Sequence, residues 1–286
     1  MDGIGASVLT ISPGRPWRAS ITTFGALVWS GFRRFATYRQ ATFAGAFTNI
    51  VFGFLRCYVL LAVAAGTAGG VAGGYDPGQL ATFVWVGQGL LSVVGMWGWT
   101  DLSDRIRTGD IAADLLRPVA PVTAFLAADL GRSLHAMLAR FVPPLLIGVL
   151  FFPLAAPHRW QTLPLFALSV VLAIIGSFGC RFLVNATAYW LHDARGPIIL
   201  WTLGSGVLAG LYFPLRLLPD GVATALWLLT PLPGLLQTPL DVVVERDPPA
   251  MQAGLVGLQA VWAVILIALA RLVQRRAEHK LVVQGG

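Results

Sequence analysis

The stretch "FAGAFTNIVFGFLRCYVLLAVAAG", residues 43–66, is apolar over a length that crosses a lipid bilayer as one helix. A hydrocarbon core of about 30 Å requires roughly 20 apolar residues in helical form. The rest of the chain has the same character, because 56% of its 286 residues are hydrophobic, 12% are charged and the mean hydropathy is +0.73. Soluble domains carry about 25% charged residues, so we predict an all-α integral membrane protein.

Apolar runs of this length recur along the chain, and we predict six transmembrane helices within residues 43–273. The spans cover about 43–66, 79–99, 134–156, 163–191, 197–218 and 251–273. The third span has an alternative helical start near Val122. Prolines and glycines interrupt a further apolar piece, 222–240, which predicts short outer helices between spans five and six, at the surface or dipping into the interface.

The basic residues predict the orientation of these spans. The net charge is +7, and every basic residue except Lys280 is an arginine. Most arginines lie before span one, between spans two and three, or after span six, which predicts cytoplasmic N- and C-termini, residues 1–42 and 274–286. Short basic gaps between apolar runs are also unlike a nucleic-acid-binding surface. Because no signal peptide is evident, the first span is expected to direct its own insertion.

Residues 20–39 carry apolar side chains at helical spacing, with arginines gathered near the far end. This pattern is typical of an amphipathic helix lying in the cytoplasmic interface. The alternative is a plain extension leading into span one.

Several catalytic motifs are missing from the sequence. A P-loop requires a lysine after its glycines, and Lys280 has no glycine before it. The HExxH and GxSxG patterns are absent, and the histidines are scattered, so we predict no nucleotide site, no catalytic residue and no metal site in this chain. Cys57 and Cys180 lie in apolar runs and are expected to be buried thiols.

The segment "DRIRTGDIAADLLRPVAP", residues 104–121, is the most charged part of the chain between two spans. Gly109 divides it, Asp110 is a suitable N-cap for a second short helix, and Pro118 ends that helix. Ile111 and Leu115 share one helical face. From the residues alone three interpretations stay open: a docking surface for a soluble partner, a solvated loop, or carboxylate chemistry.

The six-span plan and the string "GDIAADLLRPV", residues 109–119, resemble the membrane (permease) subunit of a bacterial type-2 ATP-binding-cassette (ABC) exporter. The resemblance covers about residues 20–280. It implies that segment 100–121 is a cytoplasmic coupling segment and that a separate ATPase docks on it. The residues carried over to that surface are Gly109, Asp110, Ile111, Asp114, Leu115, Leu116, Arg117 and Pro118.

The resemblance implies further partners for the chain. Two ATPase copies would bind ATP and Mg, this chain would need no cofactor, and a second six-span permease, identical or related, would complete the pathway. The location would be the bacterial inner membrane. The expected substrate is a hydrophobic drug-like or lipid-like compound, or a glycan carrier.

Polar residues inside the spans are candidates for the substrate pathway, because charge within a bilayer is costly. Arg56 either faces a pathway and meets an anionic or polar substrate, or extends outward to the interface. Asn49 and Gln88 are candidates for the same pathway or for bonds between helices. Arg181 is expected to reach a headgroup.

Two other classes of protein compete with the exporter. An ion-coupled secondary transporter would normally carry an acidic residue deep in a span, and the predicted spans contain none. An intramembrane lipid-modifying enzyme would use the carboxylates of Asp101, Asp104, Asp110 and Asp114.

Overall fold

A computed structural model describes residues 16–37, 39–191 and 193–284, and helices dominate this part of the chain. The predicted N-terminal residues 1–15 and the last two residues of the predicted tail lie outside the described residues. The α-helices in chain order are α1 Pro16–Ala36, α2 Arg39–Ala65, α3 Pro77–Val94, α4 Asp101–Thr108, α5 Ile111–Leu115, α6 Pro121–Ala136, α7 Val142–Phe151, α8 Thr162–Ala186, α9 Ala188–Leu191, α10 Arg195–Leu208, α11 Asp220–Leu229, α12 Gln237–Val243 and α13 Pro249–Gln284.

Within the described part of the chain, four helices are long and apolar enough to cross a membrane: Thr42–Ala65, Pro121–Phe151, Thr162–Leu191 and Pro249–Glu278. They coincide with predicted spans one, three, four and six. The second of them joins α6 to α7 through a short π-helical turn, Met137–Phe141, so the third span begins at the earlier of its two predicted starts.

The predicted spans two and five correspond to shorter helices, so six spans stay a prediction. Helix α3 has 18 residues and ends at Gly95, whose φ of 63° is left-handed. Helix α10 has 14 residues and ends at Leu208, shortly before Gly210 with a φ of 81°. A glycine adopts this backbone conformation with little strain, and it commonly ends a helix. Both helices therefore end at or just before a glycine in the left-handed conformation.

The N-terminal helix α1 packs along α6, whereas the sequence predicted a helix lying in the interface over 20–39. Gly31 of α1 faces the backbone of Ala128, and Gly131 of α6 faces the backbone of Val28 and Phe32. A Cβ atom at either glycine would overlap those backbone atoms. The two helices therefore approach backbone to backbone through small residues, as membrane helices commonly do. The opposite side of α1 remains apolar and exposed, with Ile21 and Trp29 more than half accessible.

We expect the Gly131→Ala variant to loosen this helix pair, because the added methyl group meets backbone that cannot rotate away. Overpacking of this kind costs about 1–3 kcal/mol. Gly25→Ala is the matched control, since a Cβ atom there meets nothing within 4 Å and alanine favours the helix. Thermal unfolding in detergent should show a lower midpoint for Gly131→Ala alone. Equal midpoints would show that the α1–α6 contact contributes little.

The bundle has two ends, which the connecting segments define. One end, called the α4 end, carries α4, α5 and α9. The opposite end carries residues 66–76, 152–161 and 244–248. These segments bond to one another and to the first turns of α3. Thr82 Oγ1 donates to the Ala155 carbonyl, Gln79 Nε2 donates to the Val244 carbonyl, and the Arg246 guanidinium donates to the Gly73 carbonyl.

The second half of the interrupted piece 222–240 is buried, which corrects its predicted place at the surface. All seven residues of α12 are buried between α3, α8 and α13. The short helices themselves were predicted correctly. Helix α11 and the 3₁₀ turns Leu215–Leu217 and Leu232–Leu235 complete the set between α10 and α13. Prolines interrupt the segment, with Pro219 before α11 and Pro231 after it. The apolar content that predicted an interface position also suits a helix inside the protein.

A buried polar network fixes α12 to the opposite end of the bundle. The fully buried Asp241 carboxylate accepts hydrogen bonds from the Tyr75 hydroxyl, from Gln237 Nε2 and from Arg216 Nε. Burial raises the pKa of Asp241 to about 6, although the Arg216 guanidinium acts in the other direction. Arg216 also bonds Asp247 at 2.8 Å. Each charged side chain of this network, Asp241, Arg216 and Asp247, thus has a partner of opposite charge.

Candidate functional site

A cavity of about 850 Å³ lies beside α2 and is bounded by α3, the α6–α7 helix and α8. Most of its wall is apolar, and it includes Phe52, Leu55, Val59 and Leu60 of α2. The cavity brings together Asn49, Arg56 and Gln88, the three residues that the sequence proposed for a substrate pathway. Volumes of 300–1,000 Å³ are typical of small-molecule sites. Because Asn49, Arg56 and Gln88 converge on this one cavity, it is the candidate transport site.

Asn49 connects α2 to α3 at the wall of this cavity. Its Nδ2 atom donates to the Gln88 carbonyl at 3.0 Å and to Ser92 Oγ at 3.1 Å. Both Asn49 and Gln88 are buried, at 8% and 2% exposure. The amide of Asn49 therefore sets the position of α2 relative to α3 as well as lining the cavity.

Arg56 lies on the cavity wall in the middle part of α2. Its Nε and Nη1 atoms are enclosed and make no hydrogen bond with the residues that the structure describes. Buried polar atoms normally have a partner, and a buried guanidinium nitrogen without one is costly. The side chain is held inside the protein beside the cavity, and it does not extend freely to an aqueous interface.

An ion cluster near the α4 end of the cavity was not predicted. Asp129 of α6 accepts from Arg132 Nε at 2.7 Å and from Arg181 Nη2 at 2.7 Å. Arg181 is buried, so the expected headgroup contact is wrong, because Asp129 supplies a countercharge inside the bundle. The predicted third span starts near residue 134 or, in the alternative, near Val122, and only the alternative includes Asp129. The helix start at Pro121 places this carboxylate within a span.

Arg132 ties the same cluster to the end of α3. Its Nη1 atom donates to the Ser92 carbonyl at 2.8 Å and its Nη2 atom to the Val93 carbonyl at 3.0 Å. These are carbonyls of the last helical turn, which have no intrahelical partner. Gly95 leaves the space that the guanidinium occupies, since a Cβ atom there would overlap it. One side chain therefore caps α3 and anchors it to α6.

Trp99 links this cluster to α4. The Arg181 guanidinium lies 5.7 Å from the centre of a Trp99 ring, a cation–π contact. Asn185 Nδ2 donates to the Trp99 carbonyl at 3.1 Å, and its Oδ1 atom accepts from the Ser103 amide at 3.3 Å. Trp97, Gly98 and Trp99 also line the cavity. The wall of the cavity is thus continuous with the segment that leads into α4.

The charged segment folds as two short helices, α4 and α5, separated by Gly109 with a φ of 83°. Asp110 precedes α5 as predicted, but its side chain caps no amide and accepts from Thr108 Oγ1. The backbone of Asp110 is already helical, which directs the carboxylate away from the first turn of α5.

Helix α5 is anchored on one side and exposed on the other. Ile111 is fully buried in a cluster with Leu102, Phe182 and Ala277, so Ile111 and Leu115 do not form the exposed apolar face that their spacing indicated. Asp114 is also buried and bonds Arg105 at 2.7 Å. Leu116 is 88% exposed. The apolar surface offered to a partner is centred on Leu116, with Arg117 and Pro118 exposed beside it.

The four carboxylates considered for enzyme chemistry do not converge. Asp101 pairs with Arg34, Asp104 with Arg107, and Asp114 with Arg105. Asp110 accepts from Thr108. A lipid-modifying or metal-dependent site would need several carboxylates around one point. These four carboxylates instead bond to separate partners, and those bonds hold the segment in its folded conformation.

The helical bundle, its largely apolar cavity and the anchored charged segment define a multi-pass membrane protein. The family model for the ABC-2 family transporter protein matches residues 50–285, and the chain belongs to this family. It is therefore the permease component of an ABC transporter, a family whose members act in the membrane with a partner ATPase. No curated protein and no solved structure matches the chain.

Proposed function

We propose that this chain is the permease subunit of an ATP-driven ABC exporter, and that it is coupled to its ATPase through residues 104–118. One observation supports this proposal above the others. The segment with the exposed Leu116 is continuous with Trp97, Gly98 and Trp99, which line the candidate transport cavity.

The contacts of α5 supply a route for force from a docked ATPase to the spans. Movement of Leu116 displaces α5, whose Ile111 is packed against residues of α8 and α13. Helix α4 moves with it, because Arg105 of α4 bonds Asp114 of α5. The Ser103 amide of α4 in turn bonds Asn185 of α8. The Arg181–Asp129 pair then links α8 to α6 beside the cavity. Two arrangements of these elements would be favoured differently by the ATP-bound and ATP-free partner.

The proposed orientation places the α4 end and both termini in the cytoplasm. The arginines of the α4 end and of the C-terminal part of α13 support it, since cytoplasmic loops are enriched in arginine and lysine. Helix α3 would form the second span, and helix α10 together with the residues after it would form the fifth. The chain would then cross the inner membrane of a bacterium six times.

The assembly proposed for transport contains two permeases and two ATPase subunits. ATP and Mg would bind to the ATPase, since this sequence has no P-loop. A second permease facing the cavity would cover the exposed apolar face of α2, which includes Phe47, Phe52, Leu55 and Val59. The chain itself would contribute no catalytic residue.

The experiment that tests this proposal is co-purification of the tagged full-length chain from its own host in mild detergent. We expect a P-loop ATPase in equal amount, and ATP-dependent uptake of hydrophobic dyes into inverted membrane vesicles. Inverted vesicles expose the cytoplasmic face, so uptake corresponds to export. Purification without any ATPase, or accumulation only in right-side-out vesicles, would contradict the exporter proposal.

A further inference from the structure

We propose that the cavity beside α2 binds an anionic amphiphile, with the acidic group at Arg56 and the apolar chain along α2. The assignment as a transport substrate rests on the proposed function, but the binding itself does not. It specifies the substrate class further than a hydrophobic compound in general.

The charge around the cavity is the first argument. Arg56, Arg132, Arg140 and Arg181 line it, and among the described residues no aspartate or glutamate does. Asp129 lies behind the wall and is shared between Arg132 and Arg181. One carboxylate thus faces two guanidinium groups before Arg56 is considered. In a medium of low dielectric constant this excess of positive charge favours an anion and disfavours a cation.

The free hydrogen-bonding capacity of Arg56 is the second argument. Arg132 is satisfied by Asp129 and by the carbonyls at the end of α3, and Arg181 by Asp129, Ser177 and Trp99. The Nε and Nη1 atoms of Arg56 have no such partner among the described residues. A guanidinium presents its N–H groups as a planar fork that matches a carboxylate, phosphate or sulfate. The ligand's acidic group would complete this arrangement.

The spacing of the apolar residues is the third argument. Phe52, Leu55, Arg56 and Val59 follow the i, i+3, i+4, i+7 pattern, so they lie along one face of α2 and all line the cavity. Phe52, Leu55 and Val59 are 54%, 57% and 62% exposed. An apolar chain lying along this face would cover them while its acidic end stays at Arg56. A neutral compound would leave the guanidinium unpaired.

Fluorescent probes that share one tail can test the inference. We would measure the binding of pyrenedecanoate, pyrenedecanol and a pyrenedecyl-trimethylammonium ion to the full-length chain, purified with its accompanying subunits, in phosphatidylcholine nanodiscs. We expect the carboxylate to bind at least 10-fold more tightly than the alcohol, and the cation to bind least. Arg56→Gln should weaken carboxylate binding by about 10- to 100-fold, the usual effect of a charge-assisted hydrogen bond, and alcohol binding by less than about 2-fold.

Two further variants separate a binding role from a structural one. Arg56→Lys keeps the charge without the planar fork and should bind the carboxylate with intermediate affinity. Arg195→Gln is the matched control, because its side chain is 80% exposed and remote from the cavity lining. The unfolding midpoint of Arg56→Gln should not fall, since the substitution removes an unpaired charge. Equal affinity for carboxylate and alcohol, or equal losses in Arg56→Gln, would overturn the inference.

The same assay distinguishes two sources of the ligand. If an anionic phospholipid of the bilayer is the occupant, phosphatidylglycerol nanodiscs should weaken pyrenedecanoate binding to the wild type but not to Arg56→Gln. If the ligand is a free amphiphile, the lipid exchange should leave the affinity unchanged. Failure of the proposed function would appear separately, as anion binding without ATP-dependent uptake. Uptake with no preference for anions would instead overturn only the inference.

Discussion

The Asp129→Asn variant is expected to lose most of its thermal stability, with a decrease of about 3–5 kcal/mol in the free energy of unfolding. Asparagine has nearly the shape of aspartate, so the change removes the charge and little else. The Arg181 side chain is only 3% exposed and would keep its charge without a countercharge. Arg132 would retain its bonds to the carbonyls of Ser92 and Val93. The cost therefore arises mainly at Arg181.

This prediction has a control and a rescue. Asp104→Asn removes one partner of an ion pair whose side chains are 54% and 58% exposed, and such pairs contribute about 0–1 kcal/mol. The double variant Asp129→Asn with Arg181→Met removes the buried charge together with its partner, and should recover much of the stability. Tryptophan fluorescence during thermal unfolding in detergent would measure all three variants. A midpoint for Asp129→Asn close to that of Asp104→Asn would show that the cluster is not a stabilising element.

The long helices could be predicted from the sequence, because length and apolar content alone determine them. The breaks in spans two and five were less predictable. Gly95 and Gly210 lie in apolar surroundings, where glycine serves equally for close packing of helices, and only the backbone conformation separates the two uses. The burial of α12 depends on partners far away in the sequence, such as Tyr75 and Arg216 around Asp241.

The candidate site was predictable in its residues but not in its pairings. Arg56 is evident as a charge within an apolar run, and Asn49 and Gln88 as polar residues within spans. Asp129 and Arg181 are 52 positions apart in the sequence and lie on different helices. No local sequence pattern predicts a contact between them. The alternative start of the third span near Val122 would have placed Asp129 and Arg132 in the membrane. Their opposite charges at i, i+3 would then have indicated a buried pair that required a further partner.

In the charged segment 104–121, sequence spacing predicted the second short helix but not its exposed side. Ile111 and Leu115 satisfy the i, i+4 rule, yet the fold uses Ile111 as an anchor between α8 and α13. Whether a helical face is turned inward or outward depends on what covers it, and a five-residue helix has too few positions to show a polar opposite face. The proposed contact with the ATPase is therefore centred on Leu116, which was already among the predicted residues, and Ile111 is an internal anchor.

The Leu116→Ala variant is expected to uncouple the transporter while leaving the permease folded. Leu116 is 88% exposed, so its truncation removes almost no contact within the chain and should leave the unfolding midpoint unchanged. A large apolar side chain at the centre of a docking surface typically contributes at least about 2 kcal/mol, which corresponds to roughly 30-fold in affinity. We therefore expect at least 10-fold weaker retention of the ATPase and loss of the stimulation of ATP hydrolysis by substrate.

Two further variants, Leu146→Ala and Ile111→Ala, complete this test. Leu146→Ala is the matched control, because Leu146 is 57% exposed on the span helix α7 and should affect neither retention nor stimulation. Ile111→Ala should act differently, by destabilising the permease itself by about 2–5 kcal/mol, because Ile111 is fully buried. Quantitative co-purification and substrate-stimulated ATPase activity in proteoliposomes would separate these outcomes. If Leu116→Ala retains the ATPase and its stimulation at wild-type levels, the docking surface lies elsewhere, and the charged segment serves only to hold the ends of α3, α6 and α8 together.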